Sequence, residues 1–171
     1  MERYLKLKLP GGQFVNVGVS RSRTMSAIRG KNTKTTERTL RMALSRTGIR
    51  GWELHPRDIL GKPDLYFRQQ RLAVFLDGCF WHGCAKCGHI PKTRRPFWRA
   101  KILRNKERDK VNARKLRQSK IRVVRVWEHS LSNKDGCRQV VAKIVRVIHE
   151  HRDAEQIIQR TLRSLPNEQK L

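Results

Sequence analysis

Thirteen residues, Phe75-Leu76-Asp77-Gly78-Cys79-Phe80-Trp81-His82-Gly83-Cys84-Ala85-Lys86-Cys87, put three cysteines, a histidine, an acid and adjacent aromatics directly after an apolar run. Core packing rarely asks for that mixture. Cys79-x4-Cys84-x2-Cys87 offers three soft thiolates on one loop. Zinc takes four such ligands in a tetrahedron. His89 and His129 are the two available fourth ligands. His89 lies only two residues past Cys87, a poor span for closing a tetrahedron, whereas His129 follows a separate apolar run, so the spacing favours His129. A closed four-ligand site is structural and pins a loop that has little else to order it. Cys137 stands apart at the start of the last predicted helix and reads as a plain thiol.

A second chemistry is carried by oxygen. Asp64 follows the turn Gly61-Lys62-Pro63 and opens a predicted strand. The next strand ends in Leu76 and Asp77, and hairpin pairing returns that end toward Asp64. Magnesium takes one or two carboxylates with waters and substrate phosphate. Asp64 and a backbone carbonyl near Leu76 meet that need; a plainer role for Asp64 is to cap the turn. His82 lies just beyond the strand, where an imidazole can take a proton from water near neutral pH. A histidine in a cysteine-rich loop also serves as a metal ligand or a satisfied polar group.

These residues need a scaffold. Leu40, Ala43 and Leu44 share one face of a helix predicted over Thr35–Thr47, with cap-like threonines, Glu37 in the first turn and Gly48 as its stop. Alternation predicts strands over Trp52–His55, Asp64–Phe67 and Leu72–Leu76, the last two joined by a tight Arg68–Arg71 turn. A charged helix is predicted over Phe97–Gln118 with Ile102, Leu103, Val111 and Leu116 inward. A fourth strand follows over Ile121–Trp127. A last helix over 137–163 buries Val140, Val141, Ile144, Val145 and Ile148. The order is helix, three strands, helix, strand, helix: an α/β domain with a mixed sheet flanked by helices. Residues 1–22 read as a flexible basic arm, and 23–165 as the domain.

The chain carries 40 Lys and Arg against 14 Asp and Glu, a formal charge of +26 over 171 residues. Such an excess repels itself unless a polyanion screens it, and nucleic acid is the first candidate. Residues 92–126 hold fifteen Lys or Arg against Glu107 and Asp109, a face for phosphates that gives affinity without sequence choice. Phe80, Trp81 and Trp98 flank it. Such rings either pack in the core or wedge between base pairs, and a poorly stacked mismatch costs less to open. No apolar run approaches the roughly 18 residues of a spanning helix, and the first residues lack a secretory h-region. The expectation is a cytoplasmic protein, associated with the nucleoid through DNA, whose cysteines bind metal rather than pair.

Specific strings sharpen this. They are Met25-Ser26-Ala27-Ile28-Arg29-Gly30-Lys31-Asn32-Thr33 with Glu37, Gly61-Lys62-Pro63-Asp64 and Phe75-Leu76-Asp77-Gly78-Cys79-Phe80-Trp81-His82. Pro91-Lys92-Thr93, Phe97-Trp98, Asn105-x-Glu107-Arg108-Asp109 and Val126-Trp127-Glu128-His129 follow in order. Together they resemble the very short patch repair (Vsr) DNA mismatch endonucleases across residues 20–131. The resemblance implies a restriction-endonuclease-like fold. It also implies an enzyme that nicks DNA 5′ to the T of a T:G mismatch left by deamination of 5-methylcytosine. In that likeness Asp64 is the central magnesium ligand, the Leu76 carbonyl a second, and His82 the base that activates water. Glu37 would approach the metal-bound waters, and Phe80, Trp81 and Trp98 would enter the duplex. Cys79, Cys84, Cys87 and His129 would hold zinc, the set the spacing also favours. The sequence departs from the family in two places. Asp77 stands where some members carry a histidine and would bind a second metal or His82; His129 stands where others carry a cysteine. Partners would be mismatched double-stranded DNA and mismatch-repair proteins, with no membrane, and nicking one strand needs only a monomer. A restriction-like nuclease indifferent to mismatches, or a non-catalytic zinc-stabilised DNA binder, are the alternative functions.

Overall fold

A computed structural model describes residues 36–92 and 94–164. The proposed arm over 1–22 and the Met25–Thr33 string lie outside the described residues. The elements are α1 (Thr36–Arg46), β1 (Trp52–Leu54), β2 (Leu65–Phe67), β3 (Leu72–Asp77), α2 (Arg95–Gln118), β4 (Arg122–Trp127), a one-turn 3-10 helix (Glu128–Leu131) and α3 (Lys134–Ser164). This is the expected order, with the 3-10 turn added and boundaries moved by one to three residues.

The four strands form one mixed sheet in the order β1-β2-β3-β4. β1, β2 and β3 run antiparallel, with Leu65 opposite Val74. β4 lies parallel to β3, with Phe75 opposite Arg125 and Asp77 opposite Trp127. A parallel neighbour needs a long crossover, and α2 supplies it. Alternate side chains point to opposite faces of a strand. Leu65, Phe67, Leu72, Val74, Val124 and Val126 therefore face α1 and α3, where they meet Leu40, Leu44, Val141, Ile144 and Ile148. Tyr66, Ala73 and Phe75 face α2 and pack on Leu116 and Ile121. Both faces of β3 are covered, which suits its apolar composition.

Two details of α2 differ from the sequence reading. Leu103 is 46% exposed and Val111 39%, while Phe97 and Ala113 join Ile102 and Leu116 in the buried stripe. Only a narrow strip of a 24-residue helix can touch a small sheet, and large apolar residues off that strip stay in solvent. Arg122 also turns inward: it donates to Val147 O at 2.5 Å and Gln70 O at 3.0 Å, stitching β4 to α3 and the β2–β3 turn.

Truncation should separate these environments. Ile144 has no exposed surface, so Ile144→Ala is expected to cost ~2–5 kcal/mol in chemical unfolding. Leu103→Ala is expected to stay within about 0.5 kcal/mol of the parent.

Candidate functional site

Glu37, Leu40 and Leu44 lie on one stripe of α1. The stripe that buries the two leucines also buries Glu37, which is 3% exposed, and aims it at the end of the sheet. There the Glu37 Oε1 atom sits 3.0 Å from His55 Nε2, and His55 Nδ1 sits 3.9 Å from Asp64 Oδ1. One ligand atom from each of the three residues falls within 4.8 Å of the others. The hairpin brings the end of β3 back as expected: the Leu76 N–H donates to Asp64 Oδ2 at 2.7 Å. That bond fixes one carboxylate oxygen and leaves Oδ1 turned toward His55.

Burial pushes the Asp64 carboxyl above its ordinary range. The Leu76 N–H and His55 oppose the push, and Glu37 and Asp77 add to it by repulsion. A carboxylate raised chiefly by burial, with two nearby acids adding repulsion, is one whose charge a cation would stabilise. The donors are chiefly carboxylate oxygens, so the residues present fit a hard divalent ion such as magnesium.

A second cluster lies on the α2 side of β3. Asp77 and Arg125 point to the same face from adjacent strands, and Asp109 comes down from α2. Arg125 grips both carboxyl oxygens of Asp77, with Nε donating to Oδ2 at 2.6 Å and Nη2 to Oδ1. Its Nη2 also reaches Asp109 Oδ2 at 3.0 Å. Asp77 is thus held by Arg125, and its closest approach to His82 Nδ1 is 3.6 Å. His82 pairs instead with Asp109, Nδ1 to Oδ2 at 2.6 Å. Although burial pushes Asp109 upward, the His82 bond and Arg125 hold it below the usual carboxylate value, so it is ionised and can only accept. The Nδ1–H of His82 is the group that faces this acceptor, so the neutral ring would present a bare Nε2. A neutral imidazole oriented by a carboxylate is the arrangement a general base requires.

The loop after β3 is packed closely against α2. Gly83 has φ of 59°, and a Cβ there would sit 2.5 Å from Ile102 Cγ2 and 2.7 Å from Lys106 Cε. Asn105 Nδ2 donates to Trp81 O at 2.9 Å from the same helix. The loop carries Cys79, Cys84 and Cys87 to His129 at the end of β4. Their sulfurs lie 3.2, 3.5 and 3.3 Å from His129 Nδ1, and Cys84 and Cys87 are 3.7 Å apart. One ring nitrogen cannot hydrogen-bond three sulfurs at once. Tetrahedral zinc with ~2.3 Å Zn–S and ~2.05 Å Zn–N bonds would set S···N at about 3.6 Å and S···S at about 3.8 Å. The cluster fits that ion closely. Its neighbour Cys79, then burial and Cys84, push the Cys87 thiol up to about 12. Although burial pushes the Cys84 thiol up, hydrogen bonds from Cys87, Lys86 and Cys79 hold it below its usual value; a cation would let the thiols of the cluster ligate together as thiolates. His89 is not in the cluster; its ring lies 5.7 Å from Phe80.

Phe80, Trp81 and Trp98 come together as edge-to-face pairs with centroids 4.9, 5.2 and 6.0 Å apart. Each is half-buried, so they pack on one another yet keep a surface face. Lys101 lies over them, 5.4 Å from the Trp81 ring, and burial lowers its pKa. Along α2, Arg99, Lys106, Lys110, Arg114, Lys115 and Arg117 are exposed. Arg122 and Arg125, counted by sequence with this basic face, are occupied inside the fold.

Sequence reasoning did not assign roles to His55, Asp109 or Arg125. His55 looked like the last residue of a strand. Arg125 carried a signal, a charge inside the apolar run Val123-Val124-Arg125-Val126, and Asp109 another, an acid isolated in a basic helix.

A family model described as DNA mismatch endonuclease Vsr matches residues 16–88. The chain is 38% identical over 141 residues to the type II nicking enzyme V.NaeI of Lentzea aerocolonigenes, covering 78% of this chain and 79% of that protein. It is 39% identical over 132 residues to the type II nicking enzyme V.NmeAIP of Neisseria meningitidis, covering 76% and 92%. It is 32% identical over 117 residues to the DNA mismatch endonuclease Vsr of Escherichia coli, covering 68% and 74%.

Two expectations follow. Because folding raises the Asp64 pKa above the unfolded value near 3.8, its ionised form destabilises the fold, and that penalty grows as pH rises through the window between the two values. Asp64→Asn keeps an oxygen for the Leu76 N–H, so in magnesium-free buffer it is expected to raise Tm at neutral pH. The gap should narrow as pH is lowered toward 4; an unchanged gap would refute the assignment. For the second cluster, Cys84→Ser is expected to lower bound zinc from one per chain toward none by elemental analysis, and to lower Tm.

Proposed function

Because the chain belongs to the Vsr family of DNA mismatch endonucleases, we propose that it nicks one strand of duplex DNA 5′ to the T of a T:G mismatch. The observation that carries the reading is the pair of sites at the end of β3. A cation-seeking carboxylate, Asp64, lies on one side, and a carboxylate-oriented imidazole, His82, lies on the other.

The roles follow from that geometry. Asp64 Oδ1, with the Leu76 carbonyl that the family likeness implies, would hold magnesium, and Glu37 would orient its waters. When bound, magnesium neutralises charge that develops on the phosphate and assists departure of the 3′ oxygen. His82 Nε2 takes a proton from the attacking water while Asp109 stabilises the imidazolium that results. Arg125 holds Asp77 and Asp109 in place and helps keep Asp109 ionised. Zinc on Cys79, Cys84, Cys87 and His129 would fix the loop that carries His82, so the base sits at a constant distance from Asp64. The same loop carries Phe80 and Trp81 to Trp98, and this aromatic face is the proposed wedge. Opening a mismatched step costs less than opening a paired one, so the wedge favours T:G. The exposed cations of α2 would hold the phosphates on either side.

Several relatives are named nicking enzymes, which agrees with single-strand cleavage by one catalytic centre. Partner mismatch-repair proteins and a monomeric state belong to the proposal. Among the described residues no helix is long and apolar enough to cross a membrane.

The test is strand-specific cleavage with magnesium on a duplex carrying T:G in a cytosine-methylation site and on its C:G counterpart. A nick 5′ to the T in the mismatched duplex alone is expected. Equal cutting of both would make the protein a nuclease indifferent to mismatches. Binding with no cutting would leave a zinc-stabilised DNA binder. His82→Ala is expected to slow the single-turnover rate by roughly 10²–10⁴ without weakening DNA binding.

A further inference from the structure

His55 takes no part in the mechanism above, yet it stands between the two acids of the metal site. Its backbone adopts φ of 48°, a left-handed conformation unusual outside glycine, and its N–H faces the Asp64 carbonyl at 3.4 Å. That conformation ends β1 and turns the imidazole into the gap between α1 and β2. There the ring meets Glu37 Oε1 at 3.0 Å and Asp64 Oδ1 at 3.9 Å. The Nε2 atom is shut off from solvent, and among the described residues it makes no hydrogen bond; its approach to Glu37 is close but off the hydrogen-bond line.

Close packing of a ring nitrogen and a carboxylate oxygen without a hydrogen bond is what two ligands of one cation look like. In an octahedron with ~2.1 Å bonds, adjacent donors lie about 3.0 Å apart and opposite donors about 4.2 Å. The Glu37 contact, made by Nε2, matches the first value; the other nitrogen, Nδ1, makes the 3.9 Å approach to Asp64, and one ligand atom from each of the three residues lies within 4.8 Å of the others. We infer that the His55 imidazole is a direct ligand of the cation held by Asp64, and that its nitrogen makes the centre prefer Mn²⁺ or Co²⁺ to Mg²⁺. Magnesium takes oxygen donors by preference, whereas imidazole raises the affinity of first-row transition ions in the order Mn²⁺, Fe²⁺, Co²⁺. This deepens the proposed function and rests on Asp64 being the metal centre.

The experiment uses the zinc-loaded full chain and Mn²⁺ alone, read by electron spin-echo modulation and by titration. The parent is expected to bind one Mn²⁺ whose signal carries ¹⁴N modulation from a coordinated imidazole. His55→Gln should abolish that modulation and weaken Mn²⁺ by about tenfold or more, while Mg²⁺, measured by competition, weakens by no more than about threefold. His82→Gln should leave the modulation intact. If His55→Gln fails to fold, His55→Asn serves, because it removes the imidazole from a smaller side chain. Modulation that survives loss of His55, or none in the parent with Mn²⁺ bound, overturns the inference. Asp64→Asn separates the two readings. Loss of Mn²⁺ in that variant upholds Asp64 as the centre whatever His55 does, whereas retained Mn²⁺ overturns both.

Discussion

The parallel pairing of β3 with β4 is the constraint on which both clusters depend. Its register sets Phe75 opposite Arg125 and Asp77 opposite Trp127. With that register Arg125 lies diagonal to Asp77 on the same face and can grip both of its oxygens. The same register ends β4 beside the end of β3, so His129 arrives within 3.2 Å of the Cys79 sulfur. A slip of one residue would reverse the faces of β4, send Arg125 into the α1–α3 core, and leave Asp77 buried without a partner. Removing one member of a buried ion pair is among the more costly changes a fold can suffer, commonly ~3–5 kcal/mol.

Charge is distributed with a matching logic. The chain as a whole is strongly positive, at +26, yet the end of β3 gathers Glu37, Asp64, Asp77 and Asp109. Two of these acids, Asp77 and Asp109, are matched by Arg125. The other two meet around His55, and burial, with a smaller repulsion from Glu37 and Asp77, raises the Asp64 pKa. The side around His55 is where a metal ion would act, and the side around Arg125 is where a histidine is aimed. A positive surface around a negative centre draws a phosphate backbone in, while the acids keep that backbone from binding the catalytic groups directly without a cation between them.

The loop from Gly78 to His89 has almost no regular structure, and it carries His82, a pair of aromatic rings and three cysteines. It is ordered by the cysteine cluster with His129, the Asn105 bond to Trp81 O, the His82–Asp109 pair and the tight approach of Gly83 to α2. The Cys79 N–H also donates to Glu128 Oε2 at 3.2 Å, a further tie to the end of β4. Such a loop has little apolar area of its own to bury, so its side-chain and backbone bonds must offset its entropy, and an ion held by the cysteine cluster would add to them.

Much of this was legible in the residues. Period-2 and helical patterns determined the element order, because side-chain burial follows local periodicity. The cysteine spacing pointed to a four-ligand cluster with His129, and the hairpin pattern brought Leu76 back to Asp64, because both depend on short spans of chain. The exposure of Leu103 and Val111, the inward turn of Arg122, the Asp77–Arg125–Asp109–His82 network and the place of His55 were decided only by tertiary structure. Asp77 and Arg125 are 48 residues apart and His82 and Asp109 are 27 apart. No local pattern encodes which of many charged residues will meet across a crossover helix. The sheet register and the narrow strip of contact on α2 make that choice.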